Sequence, residues 1–484
     1  MFLESSGRPR KMSSPALSVE LEVARALSSV PFAGMDLGHT LDNAIRIEME
    51  MRSRYGPRPY PERIRDWLRY MKWHVAPSYE VPGPPPQVVD KIIVGVTSLD
   101  DRCLDLVRPV ISALGDLAVP VCAASPGSEE LRLAGARLAD WRLLLDFDRS
   151  AWLQEYRKCH RRWSLTLASL QRARTLPVGW RRRLRWELLL ASQRSLAFRR
   201  FFRRHRPRAV LVDYDRHATL SCMVLAARSL SIPTFTLIHG TPGDGGRGFV
   251  PFIADRALCW GALDRDVFVQ AGADPSKVIP VGCPRIPAAT EVARHDACHE
   301  FAKGTTTRPT VLCAISAHGR PRWREVVAQL DAALRELPGL RGVVRLHPSD
   351  GEDVYAHIKA RHPNLLVRRA REDRLADLIA ECGIVITDGS GVGGDALVMG
   401  RPVIVMPGER IVHGHARVLV EEGQCPLVNS ATELADVLRR FIEDPTCRAH
   451  LEERRSEFSK RFCVATGEEA ARRIAIEVME RSGP

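Results

Sequence analysis

From residue 91 onward, short apolar runs alternate with stretches of helical character, and this alternation constrains the fold more than any other feature of the chain. The runs are apolar at nearly every position, which is typical of parallel strands buried on both faces. Before a predicted hinge at residues 284–287, the predicted strands are 91–98, 117–124, 141–147, 209–213, 234–240, 256–261 and 278–282. After the hinge they are 310–316, 342–348, 365–369, 383–388 and 402–407.

Two such series predict an α/β fold of two doubly wound, Rossmann-like domains that face a cleft. We assign residues 91–285 to the N-terminal domain, with a helical insert at 150–208, and residues 286–484 to the C-terminal domain, which ends in helices. Residues 1–90 form an N-terminal helical extension and a Pro-rich linker, VAPSYEVPGPPPQ. The sequence of this extension indicates no function.

The composition favours a protein that stays in the cytosol. Hydrophobic residues make up 45% and charged residues 27% of the 484 positions, as in ordinary globular domains. No window approaches 18 uninterrupted apolar residues, and the first residues lack the order of a signal peptide. The twelve cysteines are scattered, with no C-x-x-C pair, so we expect reduced core cysteines and no metal site.

Positive charge is concentrated in one segment. Residues 157–208 contain seventeen Lys or Arg and one acid, Glu187. The net charge of this segment, 17 − 1 = +16, exceeds the net charge of +13 of the whole chain. The aromatic side chains interleaved with these cations are Trp163, Trp180, Trp186, Phe198, Phe201 and Phe202. Such a segment is either a solvated helix face or a surface for anionic lipid or nucleic acid. No nucleic-acid-binding motif accompanies it, so the sequence favours the first two and allows attachment to the inner face of the plasma membrane.

Polar residues lie at the carboxyl ends of four predicted strands. In open parallel sheets ligands bind at that end, and helix N-termini there favour anions. Four such ends, divided between the two series, predict one shared cleft. The residues are Asp213 and Asp215 after the strand at 209, His239 and Thr241 after 234, Arg345 and His347 near the end of the strand at 342, and Asp388 after 383.

The loop after Asp388 contains four glycines, and residues 389–394 match the dinucleotide fingerprint G-x-G-x-x-G literally, with Glu409 at about the spacing of its acid. We reject NAD because only one convincing strand follows the loop and the helix that the loop opens is short. A glycine loop that opens a helix still binds anions through backbone N–H groups. Ser390 adds a hydroxyl and Asp395 can hydrogen-bond a ribose, so the loop predicts a nucleotide-diphosphate site.

Over residues 91–484 this layout resembles the GT-B fold of glycosyltransferases. Its motifs resemble those of CDP-glycerol glycerophosphotransferases and related capsule-polysaccharide transferases, which pair an H-G-T-P strand end with R-x-H-P and a D-x-S-S-type loop. The matching residues are His239-Gly240-Thr241-Pro242, Trp260-Gly261, Gly282-Cys283-Pro284-Arg285, Arg345-Leu346-His347-Pro348 and Asp388-Gly389-Ser390-Gly391. The loop departs from the family in having one hydroxyl instead of two, and Asp395 stands where many GT-B enzymes have Glu.

The resemblance implies a transferase, with no metal or cofactor, that moves a glycosyl or polyol-phosphate group from a nucleotide-activated donor to a hydroxyl acceptor in the synthesis of cell-surface polysaccharide or a teichoic-acid-like polymer. Its partners would be a nucleotide-sugar or CDP-polyol donor and a polysaccharide or lipid-linked acceptor, and not nucleic acid. The catalytic candidates are His239, as the base for the acceptor hydroxyl, and His347. The acceptor-side candidates are Asp213, Asp215 and Thr241, and the nucleotide-side candidates are Arg345, His347, Asp388, Gly389, Ser390, Gly391 and Asp395.

Two other functions stay open. UDP-N-acetylhexosamine 2-epimerases share the fold, but their usual G-x-R-P-E near the first strand is absent, and Gly95-Val96-Thr97-Ser98 stands there. The other alternative is a non-catalytic GT-B scaffold that residues 157–208 hold at the membrane. Substitution of Ser390 and His347 separates the scaffold from an enzyme, because only an enzyme loses turnover.

Overall fold

In the computed structural model of the protein, the described residues are 15–41, 45, 85–123, 132–172, 180–240, 248–287, 309–315, 323–347, 350–370, 372–406, 417–423 and 425–483. Helix α1 (Pro15–Ser28) and a 3-10 turn (Leu37–Leu41) come first. Most of the predicted Pro-rich linker lies outside the described residues.

The first sheet is parallel throughout. The strands in this part of the chain are β1 (Ile92–Val96), β2 (Ala118–Cys122), β3 (Arg132–Leu133), β4 (Ala136–Arg137), β5 (Ala139–Asp140), β6 (Ala209–Val212), β7 (Thr234–Leu237), β8 (Arg256–Cys259) and β9 (Val278–Pro280). Strands β3 and β4 form a separate hairpin, and the others form one sheet in the order β5-β2-β1-β6-β7-β8-β9. Every residue of β1, β6 and β7 is buried, which explains why these runs are apolar throughout.

The helices of this domain are α2 (Asp101–Leu114), α3 (Arg149–Arg172), α4 (Trp180–His205), α5 (Ala218–Arg228) and α6 (Ala262–Gln270). The strand predicted at 141–147 is wrong. Residues Trp141–Leu144 form a 3-10 turn, because the Asp140 carboxylate accepts a hydrogen bond from the Arg142 amide and caps it. The other predicted strands of this half are all present, each shorter than its apolar run.

Helices α3 and α4 pack against each other and against the N-terminal extension. The aromatic side chains of this basic segment face inward: Trp163 is 3% exposed, and its indole N–H donates to the carbonyl of Val30 over 3.0 Å. Trp180, Phe198, Phe201 and Phe202 are buried as well. These side chains therefore belong to the core, whereas Trp186 is half-buried and most of the arginines lie on the surface of the helix pair. None of the described helices is long and apolar enough to cross a membrane.

The second sheet is also parallel. Its elements are β10 (Thr310–Ala314), α7 (Trp323–Glu336), β11 (Arg341–Arg345), α8 (Glu352–Arg361), β12 (Leu365–Arg368), α9 (Leu375–Glu381), β13 (Ile384–Thr387), α10 (Val392–Val398) and β14 (Val403–Val405). The strand order is β12-β11-β10-β13-β14. All five strands predicted for this half are present, and the protein therefore has two Rossmann-like domains, as the sequence predicts.

Helical structure closes the described chain. A short π-helical turn (Val418–Glu422) is followed by α11 (Ala431–Glu443), α12 (Pro445–Phe462) and α13 (Gly467–Arg481). Helix α13 returns to the first sheet and packs on α2, where Ile474 and Val478 are buried in the same cluster as Ile92. The domain boundary between residues 285 and 286 stays a prediction.

The return of the chain brings backbones of the two halves into close contact. Gly282, which follows β9, has φ +101°, and a Cβ at this position would lie 2.2 Å from the carbonyl oxygen of Ala465. The amide of Cys283 donates to that same carbonyl over 2.9 Å. A glycine is therefore required at residue 282 both for its backbone conformation and for the space that it leaves.

Candidate active site

Two of the four polar strand ends lie where the order of a sheet reverses. In the first sheet the reversal falls between β1 and β6, whose carboxyl ends lead into Thr97 and Asp213. In the second it falls between β10 and β13, and β13 leads into Asp388. Ligands of open parallel sheets bind at such reversals, so the topology supports the cleft predicted from the sequence.

Asp213 joins two strand ends of the first sheet. It is 1% exposed, and its carboxylate accepts hydrogen bonds from the Thr97 amide, at 3.0 and 2.9 Å, and from the Thr97 hydroxyl at 2.8 Å. The carboxylate therefore stabilises the end of β1, and its predicted role on the acceptor side stays a prediction.

His239 lies beside this pair. Its Nδ1 is 3.2 Å from the main-chain carbonyl of Asp213, and its ring packs edge-on against Tyr214 with centroids 4.8 Å apart. A carbonyl oxygen only accepts hydrogen bonds, so Nδ1 carries the proton in this contact. The neutral ring then has its lone pair on Nε2.

Asp215 has a structural role. It is 2% exposed, and one carboxylate oxygen accepts from the amides of Ile253 at 2.6 Å and Ala254 at 2.9 Å. Burial raises the pKa of Asp215 above its ordinary value, and the amide of Ala254 opposes that shift. The carboxylates of Asp213 and Asp215 thus form hydrogen bonds with different partners. Thr241 and Glu409 lie outside the described residues.

The glycine loop turns around the side chain of Thr387. Its buried hydroxyl accepts from the amides of Gly389, at 3.3 Å, and Ser390, at 3.0 Å, while Gly389 adopts φ +101°. Two of the amides predicted to bind diphosphate are therefore already used. Among the described residues, the amides of Gly391 and Val392 have no hydrogen bond, so an anion at this loop would meet those two groups.

The later glycines of the loop are explained by packing. A Cβ at Gly393 would lie 2.4 Å from Leu419, and a Cβ at Gly394 would lie 2.4 Å from the ring of Phe462. Helix α10 therefore sits directly against α12 and the π-helical turn. Of the three glycines in the literal dinucleotide fingerprint, Gly389 is explained by the tight turn and Gly394 by its close packing, so two of the three have structural reasons that involve no nucleotide.

Asp395, predicted to contact a ribose, is part of an ion pair between the two halves. It is 5% exposed, and both of its oxygens lie 2.9 Å from Nη2 of Arg285. Nη1 of Arg285 donates to the carbonyl of His239 over 3.0 Å. The structure thus connects Asp395 with His239 through Arg285, for which the sequence predicts no separate role.

Arg345 and His347 lie at the end of β11. Arg345 donates to the carbonyl of Ala370 over 3.2 Å, and the His347 amide donates to Asp350 over 2.8 Å. Strand β10 separates β11 from β13, so these residues lie about 10 Å along the sheet from the Asp388 loop.

Sequence reasoning missed three residues that organise this site: Thr97, Thr387 and Arg285. Thr97 and Thr387 carried a weak signal, because each is a hydroxyl residue at or beside the end of a predicted strand. Arg285 was included in the family resemblance, but its pairing with Asp395 joins positions 110 residues apart, and no local pattern reveals it.

Two parallel-sheet domains that face each other define the GT-B fold, and this protein has that fold. A sequence model of the UDP-N-acetylglucosamine 2-epimerase family matches residues 191–449, more than half of the chain. The chain therefore belongs to the UDP-N-acetylglucosamine 2-epimerase family. No curated protein sequence matches it.

Solved structures agree on the fold. One is the UDP-N-acetylglucosamine 2-epimerase of Neisseria meningitidis bound to its nucleotide sugar, with a TM-score of 0.52, 14% identity, and coverage of 81% of this chain and 100% of that one. Another is the glycosyltransferase of kitacinnamycin, with a TM-score of 0.50, 16% identity, and coverage of 83% and 100%. At this identity they show the fold alone. The narrower resemblance to CDP-glycerol glycerophosphotransferases has no support from these matches.

Proposed function

We propose that the protein binds a UDP-N-acetylhexosamine in the cleft and inverts its configuration at C2. The family match carries the proposal, because residues 191–449 include the polar strand ends of both sheets. They contain His239 and Arg285 on one side and the segment from Arg345 to Asp395 on the other. The sequence favoured a transferase, and the family match instead supports the epimerase alternative.

Inversion at C2 requires that the proton on C2 leaves one face and that a proton arrives on the other. The electron pair of the broken C2–H bond forms a C1=C2 double bond while the C1–O bond to UDP breaks. Return of UDP to C1, with a proton added to the opposite face of C2, completes the inversion. A side chain that exchanges protons near neutral pH is therefore needed. Nε2 of His239 fits this role, because the contact between Nδ1 and the Asp213 carbonyl, at 3.2 Å, leaves Nε2 unprotonated in the neutral ring. Asp388 is half-buried at the opposite strand end and is the candidate for the second face.

The nucleotide would bind on the side of the second sheet. Its diphosphate is anionic, and Arg345 offers the charged, planar donor that suits phosphate. The Ser390 hydroxyl and the amides of Gly391 and Val392 add neutral donors. His347 follows the strand of Arg345 and supplements this set.

Incubation with UDP-N-acetylglucosamine in D₂O, followed by proton NMR, tests the proposal. We expect deuterium at C2 and conversion into the C2 epimer. His239→Asn should lower the exchange rate by about 100-fold or more, the usual contribution of a general base. His450→Asn, which changes an exposed histidine on α12, is the matched control. A protein that binds the nucleotide sugar without exchange at C2 would overturn the proposal.

A transferase is the second candidate, and one observation favours it. The family match begins at residue 191 and leaves out β1, which is followed by Thr97-Ser98 where epimerases have R-P-E. Thr97 is also occupied by its hydrogen bonds to Asp213. UDP release that depends on an added hydroxyl acceptor, without deuterium at C2, would support a transferase. Binding with neither reaction would support a scaffold.

We also propose that the outer face of α3 binds an anionic membrane surface. Arg157, Arg161 and Arg172 are exposed along this face, and Leu165, 59% exposed, lies among them. Arginines near an anionic bilayer each contribute about 1 kcal/mol, and an apolar side chain enters the headgroup region. Because the aromatic residues of the segment are buried, the attraction would be mainly electrostatic.

Sedimentation with vesicles tests this surface. We expect binding to phosphatidylglycerol vesicles that weakens with salt, and no binding to phosphatidylcholine vesicles. Replacing the three α3 arginines by Glu should abolish it. The matched control reverses the exposed cations Arg335, Lys359 and Arg361 of the other domain and should leave binding intact. Equal loss in both variants would argue against a specific face.

A further inference from the structure

We infer that Arg285 is a positioning residue that ties the glycine-loop helix of one domain to the main chain at His239 in the other, so that the two sides of the cleft are held in one arrangement. The inference rests on the proposed function, because it assigns Arg285 its role through His239. Arg285 itself need not touch the reacting carbon.

The guanidinium makes three kinds of contact at once. Nη2 lies 2.9 Å from each oxygen of Asp395, and Nη1 donates to the carbonyl of His239 over 3.0 Å. The same group stacks over Trp260 at 4.9 Å from the ring centroid. The Arg285 and Asp395 side chains are 12% and 8% exposed. A planar guanidinium suits such a site, and lysine, with a single nitrogen, does not reproduce it.

A second donor comes from the same stack. The indole N–H of Trp260 donates to the carbonyl of Ile238 over 2.6 Å, while Arg285 bonds the next carbonyl, that of His239. Two consecutive carbonyls that directly follow β7 therefore accept hydrogen bonds from the stacked pair Trp260 and Arg285. Together with the contact from Nδ1 to the Asp213 carbonyl, these bonds set both the backbone and the ring of His239.

The charge of this group is permanent. Burial acts to lower the pKa of the Arg285 guanidinium, but the adjacent Asp395 carboxylate outweighs it and the pKa rises. The carboxylate of Asp395 is thus first of all the counter-ion of Arg285. Any contact of Asp395 with a ribose depends on the position of that guanidinium.

Steady-state kinetics of the C2 exchange test the role. Arg285→Met should lower kcat by about 100-fold, the effect of displacing a catalytic group by about 1 Å, while KM changes less than about threefold. Arg285→Lys should recover part of kcat because it keeps the charge. Arg374→Met is the matched control, since it removes the other ion pair between the halves, Arg374 with Asp105 at 3.2 Å, and should change neither constant.

A readout that needs no turnover keeps the inference separate from the proposed function. Nitrogen-15 NMR of His239 should show a single tautomer, protonated on Nδ1, in the wild type and in Arg374→Met. Arg285→Lys should show a mixture of tautomers. If the wild type lacks C2 exchange, the proposed function fails, and the tautomer still decides the role of Arg285. An unchanged tautomer and an unchanged kcat in folded Arg285→Lys would overturn the inference.

Discussion

At the scale of single residues, three acidic side chains of the predicted cleft are engaged in contacts within the protein. Asp213 accepts hydrogen bonds from Thr97, Asp215 accepts from two backbone amides, and Asp395 forms an ion pair with Arg285. A carboxylate that accepts hydrogen bonds in this way is poorly suited to act as a base, because its lone pairs are occupied. This argument favours His239 for proton transfer.

Asp264 gives the stability a pH dependence. It is 1% exposed, Oδ2 accepts from the Trp260 amide at 3.0 Å, and burial raises the pKa of Asp264 from 3.8 to about 7. Between those values the unfolded chain has lost the proton that the folded protein retains. A rise in pH across this window therefore lowers the free energy of unfolding.

Asp264→Asn should remove this dependence. From pH 4 to pH 8 the wild type should lose about 4 kcal/mol of its free energy of unfolding relative to Asp264→Asn, at about 1.4 kcal/mol per pKa unit. Urea unfolding at both pH values measures the difference. Asp266→Asn, on the exposed side of the same helix, is the control. Parallel pH profiles for wild type and Asp264→Asn would contradict the assignment.

Sequence could predict which residues stand at strand ends, but not all of their partners. His239 and Asp213 were found because each follows an apolar run, and both lie at the predicted edge. The partner of Asp395 could not be found, because Arg285 lies in the other half of the chain. Such a contact depends on how the two domains dock, which no local spacing encodes.

At the scale of elements, apolar runs predicted the strands well because buried parallel strands need no polar face. The exception, residues 141–147, fails because the cap at Asp140 and the buried pair Trp141 and Leu144 produce a helical turn. In the basic segment, composition showed which residues were present but not the faces that they occupy. The helix pair buries most of its aromatic residues and leaves most of its arginines at the surface.

Gly394→Ala should loosen the contact between α10 and α12. Alanine would ordinarily favour a helix by up to about 1 kcal/mol, but its Cβ would lie 2.4 Å from the Phe462 ring. We expect a net loss of about 1–3 kcal/mol in urea unfolding. Gly240→Ala, whose Cβ would meet nothing within 4 Å, is the control. Adding Phe462→Leu to Gly394→Ala should restore part of the lost stability, because it removes the ring that the Cβ meets. If stability does not recover, the contact with Phe462 is not the cause of the loss.

At the scale of the whole molecule, the two domains are not independent segments of chain. Helix α13, from the end of the sequence, covers α2 of the first domain, and its side chains Ala471, Ile474, Ala475 and Val478 complete that core. The first sheet therefore requires residues that lie beyond the second sheet.

Truncation after residue 466 should destabilise the first domain. Each of the larger side chains removed, Ile474 and Val478, contributes about 1.5–3 kcal/mol by burial, and loss of the whole helix exposes the apolar face of α2 as well. This loss is comparable with the whole stability of a domain, about 5–15 kcal/mol, so we expect the first domain to unfold. Limited proteolysis should cleave the first domain rapidly. Truncation after residue 481 is the control, and equal resistance of both truncated proteins would contradict the prediction.

The position of α13 also sets an order of events during synthesis. Strand β9 ends at Pro280, yet the helix that covers α2 begins only at Gly467. At roughly 5–20 residues per second, a ribosome needs about 10–40 s to make the intervening chain. During that interval the nascent first domain presents an uncovered apolar helix face, which makes it a client for chaperones until the last helix emerges.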